Sequence, residues 1–226
     1  MKKMISGFTV FEKCYVIFGL LINYVIAYVT KTSIVSVICS TCSVFNAILM
    51  AKGSVVSYIF ALIETTTYII VSFGQHYYSE VIVNVFGLLP LTIYGLISWL
   101  KNQNKKTNTV SIKTLSRKEV VLVILSQVVM SFGYYQLLKY FNNEMLVIST
   151  INLAFTILGV YFASRMSIFT FVIYIVNCVF KSILWIAPIM KGDFSNTTVL
   201  IATLLYLVSD TYGLINWTRL KKVQEA

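Results

Sequence analysis

The chain has little of what soluble enzymes use for chemistry. Its 226 residues include one histidine, two prolines and eight acidic residues, and 12% of them are charged, which is about half the fraction of an average soluble domain. The histidine, His76, has no cysteine or acid at ligand spacing, and the sequence shows no Ser-His pair. This composition excludes a soluble globular protein and most hydrolytic chemistry. We therefore expect no enzyme activity, no metal site and no cofactor.

Charge and cysteine usage exclude two further classes. The formal net charge is +10, but the bases lie between apolar stretches, whereas a nucleic-acid partner needs them clustered on one folded face. The four cysteines all lie within apolar stretches. Cys39 and Cys42 have C-x-x-C spacing without the strand and helix pattern of a redox domain. They are typical of small residues at a helix interface.

What the chain does have is hydrophobic sequence, at 58% of all residues. It falls into stretches close to the ~20 residues that a membrane-spanning helix needs. We predict an all-α polytopic protein whose residues 1–226 form one membrane domain in a lipid bilayer. The first helix starts at Glu12 and Lys13, so it either crosses the bilayer or lies in its interface. The predicted helices are 12–30, 34–52, 54–73, 80–100, 120–140, 146–164, 167–190 and 197–218.

Basic residues predict the orientation of these helices. They are concentrated in alternate connections and at both termini, while the other connections carry only Lys31, Lys139 and Lys191. The positive-inside rule then places both termini in the cytoplasm. It places the longest connection, 101–119, there too. That connection is polar and basic, and we expect it to be a flexible tether.

An internal repeat organises the helices. Residues 94–101 (YGLISWLK) and 212–219 (YGLINWTR) match at five of eight positions and each end a helix on the same side. The repeat predicts a first three-helix unit at 34–101, a linking helix at 120–140 and a second three-helix unit at 146–219, with 12–30 as an extra helix. The three helices of the first unit and the linking helix make four membrane crossings, so the second unit enters the membrane from the same side as the first. The two units are therefore parallel, and the substrate path lies between them.

The stretch from about 34 to 219 resembles the PnuC family of nicotinamide riboside transporters. The resemblance lies in Tyr94-Gly95-x-x-x-Trp99, the turn at Arg165, and Asn177. The sequence departs from the family pattern at Glu64, where an asparagine is usual, and lacks the tryptophans that precede the helix holding Asn177. These departures leave the exact substrate open.

The resemblance implies a SWEET-like carrier in the cytoplasmic membrane of a bacterium. Such a carrier mediates facilitated uptake of a vitamin or nucleoside, foremost nicotinamide riboside, and a cytosolic kinase then traps the substrate by phosphorylation. Thiamine, riboflavin and deoxynucleosides are the alternative substrates within the family. We also expect a homo-oligomer, such as a trimer. A membrane scaffold without transport activity is the alternative from another class.

Three charged residues lie well inside predicted helices, away from the helix ends, where charges are costly and by default functional. They are Glu64, Lys181 and Asp210. Glu64 and Lys181 fall at near-equivalent positions of the two repeats, so we expect them to meet in the central cavity as an ion pair. If Glu64 is not paired with Lys181, it favours a cationic substrate. If the two are paired, Glu64 either accepts hydrogen bonds from the ribose or base of the substrate or has a purely structural role.

Helical spacing adds aromatic and amide groups to these charges. Tyr174, Asn177, Lys181 and Trp185 share one helix face, a mixture that suits ring stacking and hydrogen bonding to a sugar. Polar residues on other helices complete the candidate site. The predicted substrate-binding residues are Glu64, Tyr68, Asn84, Asn152, Tyr174, Asn177, Lys181, Trp185 and Asp210.

Two further expectations concern the helix ends and the mechanics. Trp99 and Trp217 lie beside cytoplasmic bases, which is typical of an interfacial aromatic belt. Pro90, flanked by Gly87 and Gly95, interrupts its helix, and we expect a bend there about which one repeat rocks against the other.

Overall fold

The computed structural model describes residues 7–104, 109–142, 145–190 and 197–225, without the side chains of residues 185, 188 and 197–199. Eight helices and one short hairpin, β1 (Gln103–Asn104) with β2 (Thr109–Val110), make up the described chain. Six helices are long and apolar enough to cross a membrane, α1 to α6, and α7 contains a shorter apolar run at Phe169–Leu184. The helices are α1 (Val10–Thr30), α2 (Ile34–Ala51), α3 (Val56–Gly74), α4 (Tyr78–Lys101), α5 (Arg117–Tyr140), α6 (Leu146–Ser164), α7 (Phe169–Met190) and α8 (Thr197–Glu225).

The helices pack as two three-helix bundles. In the first bundle α3 packs against α2 and α4, and in the second α7 packs against α6 and α8. Between the bundles the contacts are reciprocal, because α2 meets α8 and α4 meets α6. The linking helix α5 packs on α6, and α1 packs on α2. The predicted fold class, an all-α polytopic membrane protein with two parallel bundles, a linking helix and an extra first helix, is confirmed.

The acidic residue at the start of the first helix, Glu12, is buried and has hydrogen-bonding partners. Thr9 and Glu12 form a capping box, in which each side chain accepts from the other residue's backbone N–H. The buried Glu12 carboxylate also binds Lys52 Nζ at 3.1 Å and accepts from the Tyr212 hydroxyl at 2.8 Å. Both oxygens of this buried carboxylate therefore have partners. Helix α1 packs along α2 as a membrane-length helix.

The interruption predicted at Pro90 takes the form of a π-helical turn. Residues Asn84–Leu88 form this turn in the middle of α4, and regular helix resumes at Leu89. Proline has no N–H to donate and its ring crowds the preceding turn, so a wider turn just before Pro90 relieves both problems. π-turns of this kind are frequent at functional sites.

The two repeat tryptophans close one end of the molecule. Trp99 Nε1 donates to the Ala163 carbonyl at the end of α6 at 2.7 Å, and Trp217 Nε1 donates to the Met50 carbonyl near the end of α2 at 3.0 Å. Their ring centroids lie 5.6 Å apart, and both side chains are fully buried. The expectation that they belong to an interfacial belt was wrong, because each caps a helix of the opposite bundle.

Aromatic packing around the tryptophans repeats the same symmetry. Tyr58 packs edge-on against Trp99 at 4.9 Å, and Phe171 packs edge-on against Trp217 at 5.0 Å. Each of these rings lies so close to a glycine of the neighbouring helix, Gly95 or Gly213, that an added Cβ would come within 2.3 Å of it. The repeat boundaries drawn from the sequence stay a prediction, which these paired contacts support.

A backbone segment of the 101–119 connection bridges the two bundles. We call residues 109–113 the strap. The Val110 N–H donates to Gly53 and the Lys113 N–H donates to Met166, and these two acceptors are the equivalent turn residues of the bundles, both with positive φ. Val110 is fully buried against the tryptophan cluster. The expectation of a flexible tether was wrong for the strap, since its backbone is bonded at both ends. Residues 105–108 lie outside the described residues.

The orientation is testable with two exposed lysines at opposite ends of the protein. In a background with the four cysteines replaced by serine, Lys101→Cys marks the end closed by the strap and Lys31→Cys marks the other end. We expect a membrane-impermeant maleimide to label Lys31→Cys in intact cells and Lys101→Cys only after permeabilisation. Rapid labelling of Lys101→Cys in intact cells would reverse the predicted orientation.

Candidate functional site

Glu64 lies near the middle of α3, and its carboxylate is held from two other helices. Asn46 Nδ2 of α2 donates to Oε2 at 2.9 Å, and the Tyr206 hydroxyl of α8 donates to Oε1 at 3.1 Å. Ser43 of α2 forms a hydrogen bond with the Tyr206 hydroxyl in turn. The expected ion pair with Lys181 is not formed. None of the three acid–base pairs found among the described residues includes Glu64 or Lys181. Two neutral donors take the place of the lysine.

Lys181 of α7 nevertheless lies next to this network. Its Nζ is 6.0 Å from the centroid of the Tyr206 ring, a distance at which an ammonium group is attracted by the ring face. Lys181 also interacts electrostatically with three carboxylates, which belong to Glu64, Glu80 and Asp210. One cation is thus shared among three acids from three different helices.

Asp210 reaches the same region from α8. It is buried and lies one helical turn after Tyr206, so both side chains project from one face. Cys178 of α7 donates from Sγ to Asp210 Oδ2 at 3.8 Å. Since Cys178 follows Asn177 directly, Asp210 lies at the depth of Asn177.

Asn177 is the repeat counterpart of Glu64. The sequence offset that relates Tyr58 to Phe171 also relates Glu64 to Asn177, so Lys181 corresponds instead to Tyr68. Asn177 is 5% exposed, and its Nδ2 donates to Thr156 of α6 at 3.0 Å. Its Oδ1 has no hydrogen-bond partner among the described residues. An unpaired buried amide oxygen is rare in proteins and is available to a ligand donor.

Glu80 belongs to the cluster but was absent from the predicted site residues. It lies in the first turn of α4 and accepts from the Tyr68 hydroxyl at 3.4 Å. Tyr68 lies one turn beyond Glu64 on α3, which places Glu80 closer to the end of the molecule opposite the strap. Glu80 is the first residue of the predicted helix 80–100, so the sequence did not mark it as a charge at membrane depth.

Tyr174 has a packing role in this structure. Its ring lies against Gly159 of α6, where an added Cβ would come within 2.2 Å of the ring. The ring also interacts electrostatically with Glu64 and Asp210, so it borders the cluster. Its predicted role in stacking on substrate stays a prediction.

Three predicted site residues have no described hydrogen bond with a side chain of the cluster. Asn84 lies in the π-turn, and its Nδ2 donates to the Glu80 carbonyl of its own helix at 2.8 Å. The Asn152 side-chain oxygen is buried without a partner among the described residues. Trp185 lies in α7, but its side chain is outside the described residues.

A small cavity lined by both polar and apolar side chains adjoins the cluster on the side of α1. It has a volume of about 40 Å³ and is lined in part by Tyr15, Asn23, Ser40, Ser43 and Tyr206. That is room for one or a few water molecules and too little for a nucleoside. The central side chains bind one another in this arrangement, so a substrate must displace some of these contacts to enter.

Sequence reasoning missed Glu80, Tyr206 and Ser43. The spacing of four between Tyr206 and Asp210 could have identified Tyr206, because it puts both on one helix face. Nothing in the sequence indicates that Ser43 faces α8. Among the described residues, no group of three or more His, Cys, Asp or Glu side chains is placed to hold a metal ion.

Comparison with known proteins agrees with this architecture. The family model described as nicotinamide mononucleotide transporter matches residues 33–219. The nicotinamide riboside transporter PnuC of Neisseria mucosa is 23% identical over 225 residues, covering 98% of this chain and 86% of that protein. The PnuC transporter of Haemophilus influenzae is 23% identical over 227 residues, covering 98% of this chain and 95% of that protein.

A solved structure shares the fold. The crystal structure of the vitamin B3 transporter PnuC superimposes with a TM-score of 0.78 at 24% identity, covering 96% of this chain and 94% of that chain. The family match extends over most of the sequence, from the start of α2 to the repeat tryptophan of α8. The chain therefore belongs to the nicotinamide mononucleotide transporter family, the PnuC family of multi-pass membrane transporters.

Proposed function

We propose that this protein is a facilitator for uptake of nicotinamide riboside. The observation that carries the proposal is that three acids, Glu64, Glu80 and Asp210, lie near one lysine, Lys181. The Nζ of this lysine is 6.0 Å from the ring of Tyr206, which donates to Glu64. Three carboxyl groups and one lysine give the region between the bundles an excess of acidic groups that a bound cation can neutralise. Nicotinamide riboside carries a fixed positive charge on its pyridinium ring, and its carboxamide and ribose add hydrogen-bonding groups.

The amide and hydroxyl groups near the cluster suit the rest of this substrate. The free Oδ1 of Asn177 can accept from a ribose hydroxyl or a carboxamide N–H, and Tyr206 offers a ring face. Neutral substrates such as riboflavin or deoxynucleosides offer these acids no opposite charge, so they gain nothing from the acidic cluster. Thiamine is also a cation, so it is the main competitor.

Substrate preference is measured with purified protein in liposomes. We expect unlabelled thiamine to reduce uptake of radiolabelled nicotinamide riboside more than riboflavin or thymidine does, because only thiamine shares its positive charge. Equal inhibition by all three compounds would remove the argument from charge. Uptake of thymidine with none of nicotinamide riboside would replace the proposal by a nucleoside carrier.

Facilitated diffusion makes a separate prediction. In liposomes whose membrane potential is clamped at zero, so that the charge of the substrate cannot drive its accumulation, the labelled substrate is expected to reach the external concentration and go no higher, with or without an imposed proton or sodium gradient. Accumulation above that level driven by either gradient would show ion coupling, with the carboxylate cluster as the place to search for the coupling ion. Liposomes without protein provide the leak control.

In a cell the same carrier needs a reaction that removes its substrate. We propose that it lies in the cytoplasmic membrane of a bacterium with both termini in the cytoplasm, and that a cytosolic kinase phosphorylates the incoming vitamin. The phosphate adds negative charge, so the product no longer fits a site lined by carboxylates. This step maintains the inward gradient without any energy input at the carrier.

A further inference from the structure

Lys181 lies between two levels of acidic side chains. Cys178, which contacts Asp210, precedes Lys181 by about one helical turn on the side nearer the strap. Glu64, the repeat counterpart of Asn177, lies at the same depth as Asp210, and we call this depth the inner level. On the other side, Tyr68 is the counterpart of Lys181 and donates to Glu80, which lies nearer the end opposite the strap. One helical turn is about 5.4 Å, so a lysine side chain reaches both levels.

The inner level is built to receive a positive charge. Glu64 is oriented by Asn46 and Tyr206 without an ion pair. The buried Asn177 contributes an amide oxygen with no partner among the described residues, one turn before Lys181 on the same face. A cluster of acids alone would be weak evidence, but the unpaired oxygen points to a missing donor at this level.

We infer that Lys181 is an internal counter-ion that a cationic substrate replaces at Glu64 and Asp210, and that Glu80 receives the lysine ammonium group when this occurs. The inference rests on the proposed transport of a cationic vitamin. Without substrate, the ammonium group acts on the inner pair electrostatically, without a direct ion pair to Glu64 or Asp210. With substrate bound, the pyridinium occupies the inner level and the lysine turns toward Glu80, so neither cation is left in an apolar setting without a carboxylate.

Glu80 is therefore assigned a positioning role that acts through Lys181. If Glu80 is removed, the ammonium group has no second acceptor and competes more strongly with the substrate. If Lys181 is removed, that competition disappears. The two changes are expected to shift the affinity for a cation in opposite directions and to leave the affinity for a neutral ligand alone.

Oxidised and reduced nicotinamide riboside form a matched pair for the test. They share the ribose and the carboxamide, and the reduced dihydropyridine ring has no charge. With full-length protein in detergent, calorimetry is expected to show that Lys181→Met strengthens binding of the oxidised form about tenfold and that Glu80→Gln weakens it about tenfold, as one charge within a few ångströms can do. The reduced form is expected to change less than about threefold in either variant.

A double variant separates the assigned role from a direct one. If Glu80 acts through Lys181, Lys181→Met with Glu80→Gln behaves like Lys181→Met alone. Additive effects would overturn the inference by showing that Glu80 meets the substrate itself. Glu119→Gln is the matched control, because its carboxylate binds Arg165 at 2.9 Å outside the cluster; it is expected to change neither affinity.

Folding and ligand identity are controlled separately. Each variant is checked by thermal unfolding, and Lys181→Gln replaces Lys181→Met if the latter does not fold. Equal changes for the oxidised and reduced forms would assign Lys181 and Glu80 to packing and overturn the inference while leaving the proposed function standing. Wild-type protein that binds neither form overturns the proposed function and the inference with it.

Discussion

Replacing Trp217 by alanine is expected to cost about 3–5 kcal/mol of stability, the usual range for deleting a buried large aromatic side chain. The ring is fully buried, lies 5.6 Å from Trp99, and stacks edge-on with Phe171. Its Nε1 also donates to the Met50 carbonyl, which after the change keeps the hydrogen bond from the Gly53 N–H. The lost hydrogen bond and the newly created cavity both lower stability at the junction of the two bundles.

The contribution of the hydrogen bond is measured by Trp217→Phe, which keeps an aromatic ring. It is expected to cost about 0.5–1.5 kcal/mol for the lost hydrogen bond, because the Met50 carbonyl keeps its bond from the Gly53 N–H. Trp99→Phe is expected to give a similar loss at the Ala163 carbonyl, which keeps its bond from the Met166 N–H. Denaturant titration in mixed micelles measures all variants. Phe132→Ala on α5, where the side chain is 72% exposed, is the aromatic control. If Trp217→Ala and Phe132→Ala cost the same, the tryptophan pair does not hold the bundles together.

Replacing Glu64 by glutamine is expected to weaken binding of nicotinamide riboside by about tenfold to a hundredfold. The change removes one of the two inner carboxylates, and interactions of charged groups are typically worth about 1.5–3 kcal/mol. It also turns an amide N–H₂ toward Asn46 or Tyr206, both of which are donors to Glu64. A neutral nucleoside is expected to lose much less than the cation.

Two variants distinguish the meanings of a Glu64→Gln effect. Asn177→Ala removes the counterpart amide and is expected to cost about 1–3 kcal/mol for charged and neutral ligands alike. The double change Glu64→Gln with Lys181→Met tests a purely structural role, since recovery of stability without recovery of cation affinity would separate folding from binding. Normal binding in both Glu64→Gln and Asn177→Ala would place the substrate cavity elsewhere.

The structure brings the centre of the predicted site together and adds residues at its edges, while the substrate-binding roles stay a prediction. Charge at membrane depth identified Glu64, Lys181 and Asp210, and the structure brings them into one electrostatic cluster. The expected pairing of Glu64 with Lys181 was wrong. It used the sequence offset between the two helix-end motifs, whereas the packing of α3 and α7 relates Glu64 to Asn177. Glu80 could not be predicted, since its partner Tyr68 belongs to another helix.

The sequence by itself determined that this is a helical membrane protein with eight helices and a repeat. These properties depend on local quantities, namely hydrophobic length, basic residues between helices, and a motif that recurs at Tyr94 and Tyr212. Helical periodicity also fixed which residues share a face, but it carries no information about which helix that face meets.

Only the tertiary structure decided the partners across helices. It buried Trp99 and Trp217 as reciprocal caps, bonded the strap to both bundles, and gave Glu64 two neutral donors in place of a lysine. Each of these contacts joins residues far apart in sequence, so it exists only after the bundles have packed. The physical reason is that a buried polar group takes whichever partner the packing supplies, because leaving it unpaired costs more than any single choice gains.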